Sequence, residues 1–190
     1  MRPVPALQRA DFFRAGLDLL REHGSSNVTA VALCERLGVT RGSFYHHFAS
    51  FEEYLEGLLD YWADYFTWSR RQILEREREL ARRSDVFIGL AIELPHDLEN
   101  AIRAWATIHP AVREAVRKVE ATRVAYIEHS LRRAGCDADT ATLYAQLAHS
   151  SFIGLEAKGI ADDEKLIRRI FEEIEWAVSR RIGMDSPRRE

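Results

Sequence analysis

The sequence predicts an all-α protein, on three observations. No segment sustains the apolar and polar alternation of a half-buried strand, apolar residues recur instead at spacings of three and four, and glycines number only ten. The first helix fits Ala6 to His23, with Ala10, Phe13, Leu17 and Leu20 on one face and Gly24 as its stop. A short second helix follows Thr29, buries Ala30, Leu33, Cys34 and Leu37, and ends at Gly38, where a left-handed residue costs least. Thr40 then caps a third helix whose Phe44 and Phe48, four apart, point inward. Ser50 and Glu53 read as a capping box opening a fourth helix through Leu55, Leu58, Leu59, Trp62 and Phe66.

Beyond Trp68, the charge-rich stretch Arg70 to Arg83 reads as a solvated helix end and connector. Between Pro95 and Pro110, Leu98, Ile102 and Trp105 form one stripe. Pro110 suits the first turn of a long helix carrying Val112, Val116, Val119, Val124 and Ile127, which Gly135 ends. Two last helices are expected over Asp139 to about Lys158 and Asp163 to about Arg181, both with broad apolar faces, before a frayed tail from Met184 to Glu190.

The length, 190 residues, suits one ordinary domain or a small domain fused to a larger one. With 46% hydrophobic and 30% charged residues, the chain is too apolar to be disordered. Cys34 and Cys136 stand far apart and outside any CxxC pair, so neither a disulfide framework nor a zinc knuckle is expected, and no metal or cofactor is implied. Apolar runs such as Val86 to Ile92 are far shorter than the ~20 residues that span a bilayer, so no membrane partner is expected and a cytoplasmic location is the default. The net charge of −3 argues against a strongly basic nucleic-acid binder, but it is unevenly spread: residues 1–50 carry six arginines against four acids and are net positive, and the remainder is net negative.

A short helix, a turn beginning with glycine and a second short helix define a helix-turn-helix. Position by position, Thr29, Leu33, the run Leu37-Gly38-Val39-Thr40-Arg41-Gly42-Ser43-Phe44-Tyr45-His46-His47-Phe48, Glu53 and Leu55 resemble the tetracycline-repressor-like (TetR) family of bacterial transcription factors. The resemblance is strong over about residues 8–62 and weaker beyond, although Glu99, the run Ala101 to Ala106, Pro110, Val112, Arg123 and Gly135 still look like one subgroup. It implies a homodimeric repressor with a helix-turn-helix domain at residues 1–49 and a helical ligand-binding and dimerisation domain at residues 50–190, reading a palindromic operator in double-stranded DNA and responding to a small-molecule effector. It also implies phosphate contacts at Tyr45 and His47 and a variable base contact at His46. Where family members commonly carry a lysine at the first turn of the fourth helix, this chain has Phe51.

The residues support that reading on their own chemistry. An arginine at the start of the third helix, Arg41, can reach guanine O6 and N7 in the major groove, and Gly42 and Ser43 are small enough for the backbone to approach DNA. Thr29 and Thr40 combine helix capping with hydroxyls suited to phosphate. Enzymatic motifs are absent: there is no HExxH, no phosphate-binding glycine loop and no nucleophile elbow, and the single Glu-x-x-His spacing, Glu93 to His96, is interrupted by Pro95. The chain is therefore expected not to be an enzyme, and the alternative is a helical ligand-binding or protein-interaction module without DNA binding. Trp105, His109, Tyr126, His149 and Phe152 are the candidate ligand residues, with His129 and Trp68 sharing the same ambiguity between cavity wall and core. Leu147, Leu155, Leu166, Ile170 and Ile174 are the candidate dimer interface, and Cys34 is expected in the core.

Overall fold

The computed structural model describes residues 7–65 and 88–183, and every regular element there is helical. The expected helix start at Ala6, Phe66, Trp68, the connector at 70–83 and the tail from Met184 lie outside the described residues. None of the described helices is long and apolar enough to cross a membrane.

Helix α1 spans Arg9–His23, entered through Gln8, whose amide donates to Asp11 Oδ2 at 2.7 Å, and left at Gly24, where φ is 79°. The expected stripe is buried at Phe13, Leu17 and Leu20, and Phe12, outside that stripe, is buried completely. The reason is that α1 packs on two neighbours, α2 and α4, so its apolar face is wider than one stripe. A single 3-10 turn, Ser25–Asn27, leads to α2 (Ala30–Leu37). Thr29 Oγ1 accepts from Ala32 N at 3.2 Å, and Gly38, in the left-handed region at φ 66°, ends the helix. Helix α3 (Arg41–His47) follows with Thr40 Oγ1 accepting from Ser43 N at 3.3 Å, and Phe44 and Phe48 are buried as their spacing predicts.

Helix α4 spans Phe51–Ala63, capped by Ser50 Oγ, which accepts from Glu53 N at 3.1 Å. The second half of the expected capping box is displaced: Glu53 Oε2 accepts from the amide of Ala49, one residue before the cap, at 2.7 Å. Phe12, Phe13, Phe44, Phe48 and Tyr54 form one aromatic cluster with ring centroids 5.1–5.8 Å apart. Each fully buried ring contributes ~2–3 kcal/mol of apolar burial before entropy is charged. Two glycines let α1 and α4 approach. A Cβ at Gly16 would run into the Tyr54 hydroxyl, which donates to Phe12 O at 3.1 Å, and one at Gly57 would lie 2.6 Å from the Phe13 ring.

Pro95 precedes α5 (His96–Ile108), which buries Leu98, Ile102 and Trp105 as expected. It also buries Glu99, a residue the apolar pattern does not flag: Trp62 Nε1 donates to Glu99 Oε1 at 3.0 Å, and Arg103 approaches the other oxygen at 3.6 Å. Helix α6 is Pro110–Arg133, followed by a turn with Gly135 at φ 102°. Helix α7 (Ala138–Ala157) starts slightly earlier than expected because Asp137 supplies the cap, accepting from Thr140 N at 2.9 Å. Helix α8 (Glu164–Arg181) is capped by Asp163 and packs on α7. Cys136, in the turn before α7, is buried against Ala141, Tyr144 and Val178.

The chain divides into two compact units, one of residues 1–66 with 97–116 and one of 67–96 with 117–190. The first holds α1 to α4 with most of α5. The second is centred on α7 and α8, around Phe152, Leu155, Ile167 and Phe171 with Ile88 and Ala91. Within it His96 Nδ1 lies 3.0 Å from Oε1 of the completely buried Glu156.

Candidate nucleic-acid interface

Helices α2 and α3 with the Gly38 turn form the helix-turn-helix, and its rigidity comes from beneath. Phe44 and Phe48 anchor α3 on Phe12, and the Cys34 thiol donates to Thr40 O at 3.5 Å, bracing the entry to α3 from below. Burial pushes the Cys34 thiol up, so it stays protonated and acts as a packing group.

The opposite side of α3 is turned to solvent. Thr29, Thr40, Arg41, Gly42, Tyr45 and His46 are exposed, Tyr45 to 52%, while Ser43 and His47 are half-buried. Tyr45 thus carries its hydroxyl into solvent on the same side as Arg41 and His46, while its ring edge packs 5.2 Å from Phe44. His47 is less available than His46, since its ring packs 5.3 Å from Phe12.

Charge pairing separates the arginines of this region. Arg9 pairs with Glu53, Arg14 with Asp11, Arg21 with Asp18 and Asp97, and Arg36 with Glu22 through two contacts of 2.7 and 2.8 Å. Arg41 has no ion pair or hydrogen bond from its side chain among the described residues. Among the described arginines of residues 7–65, Arg41 is therefore the one whose charge is not spent within the fold. Phe51, at the first turn of α4, is half-buried with its ring 5.5 Å from Tyr54.

The other candidate residues are distributed more widely. Trp105 and His109 lie in the first unit with rings 5.9 Å apart, and Tyr126, His149 and Phe152 lie in the second. Trp105, His149 and Phe152 are buried, Tyr126 and His109 half-buried, and His129 exposed. Among the interface candidates, Leu147 is 46% exposed and Leu166, Ile170 and Ile174 are half-buried against the core of the second unit, but Leu155 is enclosed in that core at 6%. Leu143, one turn before Leu147, is 56% exposed and lies outside the candidate set. The sequence reading also passes over Arg9, Phe12 and Tyr54, which support α3. For Arg9 and Phe12 the only signal is membership of a helix that faces two neighbours.

The geometry is that of a DNA-binding helix-turn-helix. Residues 12–57 match the family described as bacterial regulatory proteins, tetR family, so the helix-turn-helix domain is of that family's type. No curated protein matches its sequence. Solved structures share the fold. A transcriptional regulator from Rhodococcus sp. Rha1 superposes with a TM-score of 0.73 at 21% identity, covering 95% of this chain and 100% of that one. A protein from Saccharomonospora viridis assigned as a transcriptional regulator and solved with choline gives 0.73 at 16% identity, over 87% of this chain and 93% of its own. Reduced NemR of E. coli gives 0.69 at 18%, over 94% and 97%.

Proposed function

We propose that the protein is a transcriptional regulator, not an enzyme, that binds double-stranded DNA as a homodimer through α3 and represses from a palindromic operator until a small-molecule effector binds its helical body. The observation that carries the reading is the exposed Arg41 at the start of the helix-turn-helix's second helix, unpaired among the described residues, where Arg9, Arg14, Arg21 and Arg36 are each paired. Arg41 reads a guanine edge, Gly42 and Ser43 allow close approach, Tyr45, His47, Thr29 and Thr40 take phosphates, and His46 faces a variable base. In functional terms the recognition domain ends at residue 49 and the body begins at residue 50, with α4 joining them.

The exposed pair Leu143 and Leu147 on α7, with Leu166, Ile170 and Ile174 on α8, supports a two-fold interface, and Leu155 backs it from within the protomer. A two-fold dimer presents two recognition helices to an inverted repeat. Tyr126, His149 and Phe152 of the second unit, or Trp105 and His109 of the first, are proposed to meet the effector; a protein of the same fold holds choline. Selection of bound sequences from random duplexes by the full chain tests the function. Enrichment of an inverted repeat, bound with an affinity that falls steeply with salt, is expected. No enrichment and no salt-dependent binding would favour a helical interaction module that does not read DNA.

A further inference from the structure

We propose that Arg9 is a positioning residue for the recognition helix: it holds the C-terminal turn of α3, which carries His46 and His47, and does not itself contact DNA. The inference rests on the DNA-binding reading above. Helix α3 has seven residues, about two turns, and its two ends are held differently. Its start is fixed by the Gly38 turn and the Thr40 cap. Its last carbonyls have no partner within the helix and must find one elsewhere.

Arg9 supplies it. Its Nη1 donates to His47 O at 2.8 Å and, at the same distance, to Glu53 Oε1, while the guanidinium carbon stacks 4.4 Å over the Phe48 ring. The other oxygen of Glu53 accepts from Ala49 N at 2.7 Å, so the carboxylate also ties down the link between α3 and α4. One arginine and one glutamate thereby join the start of α1, the end of α3 and the start of α4. Gly57, one turn along α4, lies beside the clasp: a Cβ there would meet Arg9 Nη2 in ordinary contact at 3.7 Å, and it is the Phe13 ring that needs the glycine. A cation at a helix C-terminus is favourable, and hydrogen bonding to Arg9, then to Ala49 N, holds the Glu53 carboxyl below its usual range.

The clasp has two properties that separate positioning from stability and from phosphate binding. Both side chains are partly in water, Arg9 to 45% and Glu53 to 40%, so the pair adds little to folding. Its charge is already met by Glu53, unlike that of Arg41. Loss of the clasp therefore leaves the domain folded but frees the end of α3 that carries His46, and a misplaced contact costs specific binding while general attraction to the backbone persists.

The test uses the full chain, DNA selected by the wild type and an unrelated duplex of equal length. Arg9→Met, which keeps a stem over Phe48 without the donors, should lower affinity for selected DNA by about tenfold, near the low end of what one lost base contact costs. Affinity for unrelated DNA, the slope of log K against log salt and the melting temperature should stay close to wild type. Arg9→Lys should recover part of the loss, because one nitrogen, Nη1, makes both bonds and an ammonium can also donate twice, though from a shorter stem and without the stack over Phe48. Glu53→Gln should weaken specific binding in the same way, and adding it to Arg9→Met should cost little more. Equal loss on both duplexes with a salt slope shallower by about 2 per dimer would make Arg9 a phosphate contact and overturn the proposal. So would unchanged specific affinity, additive effects of the two substitutions, or a loss explained by a fallen melting temperature. Wild type that selects no sequence would overturn the DNA-binding reading and the proposal together, whereas a binding wild type with an unaffected Arg9→Met variant overturns the proposal alone.

Discussion

Glycine is used in opposite ways in α1 to α4 and in α7. Gly16 and Gly57 face aromatic side chains so closely that neither position has room for a methyl group, whereas Gly154 in α7 has nothing within 4 Å of where a Cβ would stand. The difference extends to the polar groups. In the N-terminal helices each short element is held by a specific contact: Tyr54 to Phe12 O, Cys34 to Thr40 O, Arg9 to His47 O. In α7 and α8 a broad apolar face does most of the packing, with the buried Glu156 and His96 pair beside it, and many combinations of Leu, Ile, Val and Phe satisfy that face. A recognition element must keep a fixed pose and so constrains particular residues. A helical body must only stay filled, which leaves its lining free to diverge.

The contrast can be broken most severely at the exposed face of α7. Glutamates at both Leu143 and Leu147 should yield monomers with a wild-type melting temperature and lower operator affinity by about a hundredfold or more, as one half-site is lost. Light scattering and a binding titration check this together; an intact dimer would remove these residues from the interface. Next comes Gly16→Ala. Tyr54 is fully buried among other rings and cannot swing away, so the new methyl should cost about 1–3 kcal/mol in chemical denaturation. Gly154→Ala should instead be neutral or stabilise by up to ~1 kcal/mol, because it only restores helix propensity. Equal effects at the two glycines would erase the contrast.

Smaller effects sharpen it. Phe51→Lys adds one cation per subunit beside α4. If that site faces the DNA backbone, the salt slope should steepen by about 2 for a dimer, and an unchanged slope would assign Phe51 to packing on Tyr54. The smallest effect concerns pH. The Glu53 carboxyl is held below its ordinary value, so its stabilisation is present above the unfolded-state pKa and is lost as pH falls through the folded one. The gap in melting temperature between wild type and Glu53→Gln should therefore be small at pH 7, in keeping with the exposure of the pair, and close as pH falls below about 4.5.

How much of this was legible in the sequence follows the same division. The caps at Thr29, Thr40 and Ser50, the Gly38 turn and the inward Phe44 and Phe48 are local features with a fixed period, and they could be read directly. Phe12 could not, because its burial depends on α1 meeting two partners at once, and Tyr54 could not, because it is enclosed by rings from α1 and α3. Arg9 reads as one surface arginine among six until the fold places it 38 residues away in sequence at His47. Leu155 and Leu143 show the limit for the body. Both lie on an apolar helix without a strong single stripe, and periodicity alone could not say which faces the core and which faces out. The burial of Glu99 and Glu156 could not be read for another reason: a buried carboxylate is recognisable through its partners, Trp62 for one and His96 for the other.

The central claim is that Arg41 reads a base while Tyr45 holds the backbone, and the most direct measurement compares single substitutions at both on DNA selected by the wild type and on every single-base variant of it. Arg41→Ala should cost about 1–3 kcal/mol on the selected site and flatten discrimination at one position per half-site, whereas Tyr45→Phe should weaken binding to all sequences by a similar factor. Discrimination that survives intact at every position in Arg41→Ala, with affinity unchanged in both variants, would contradict it.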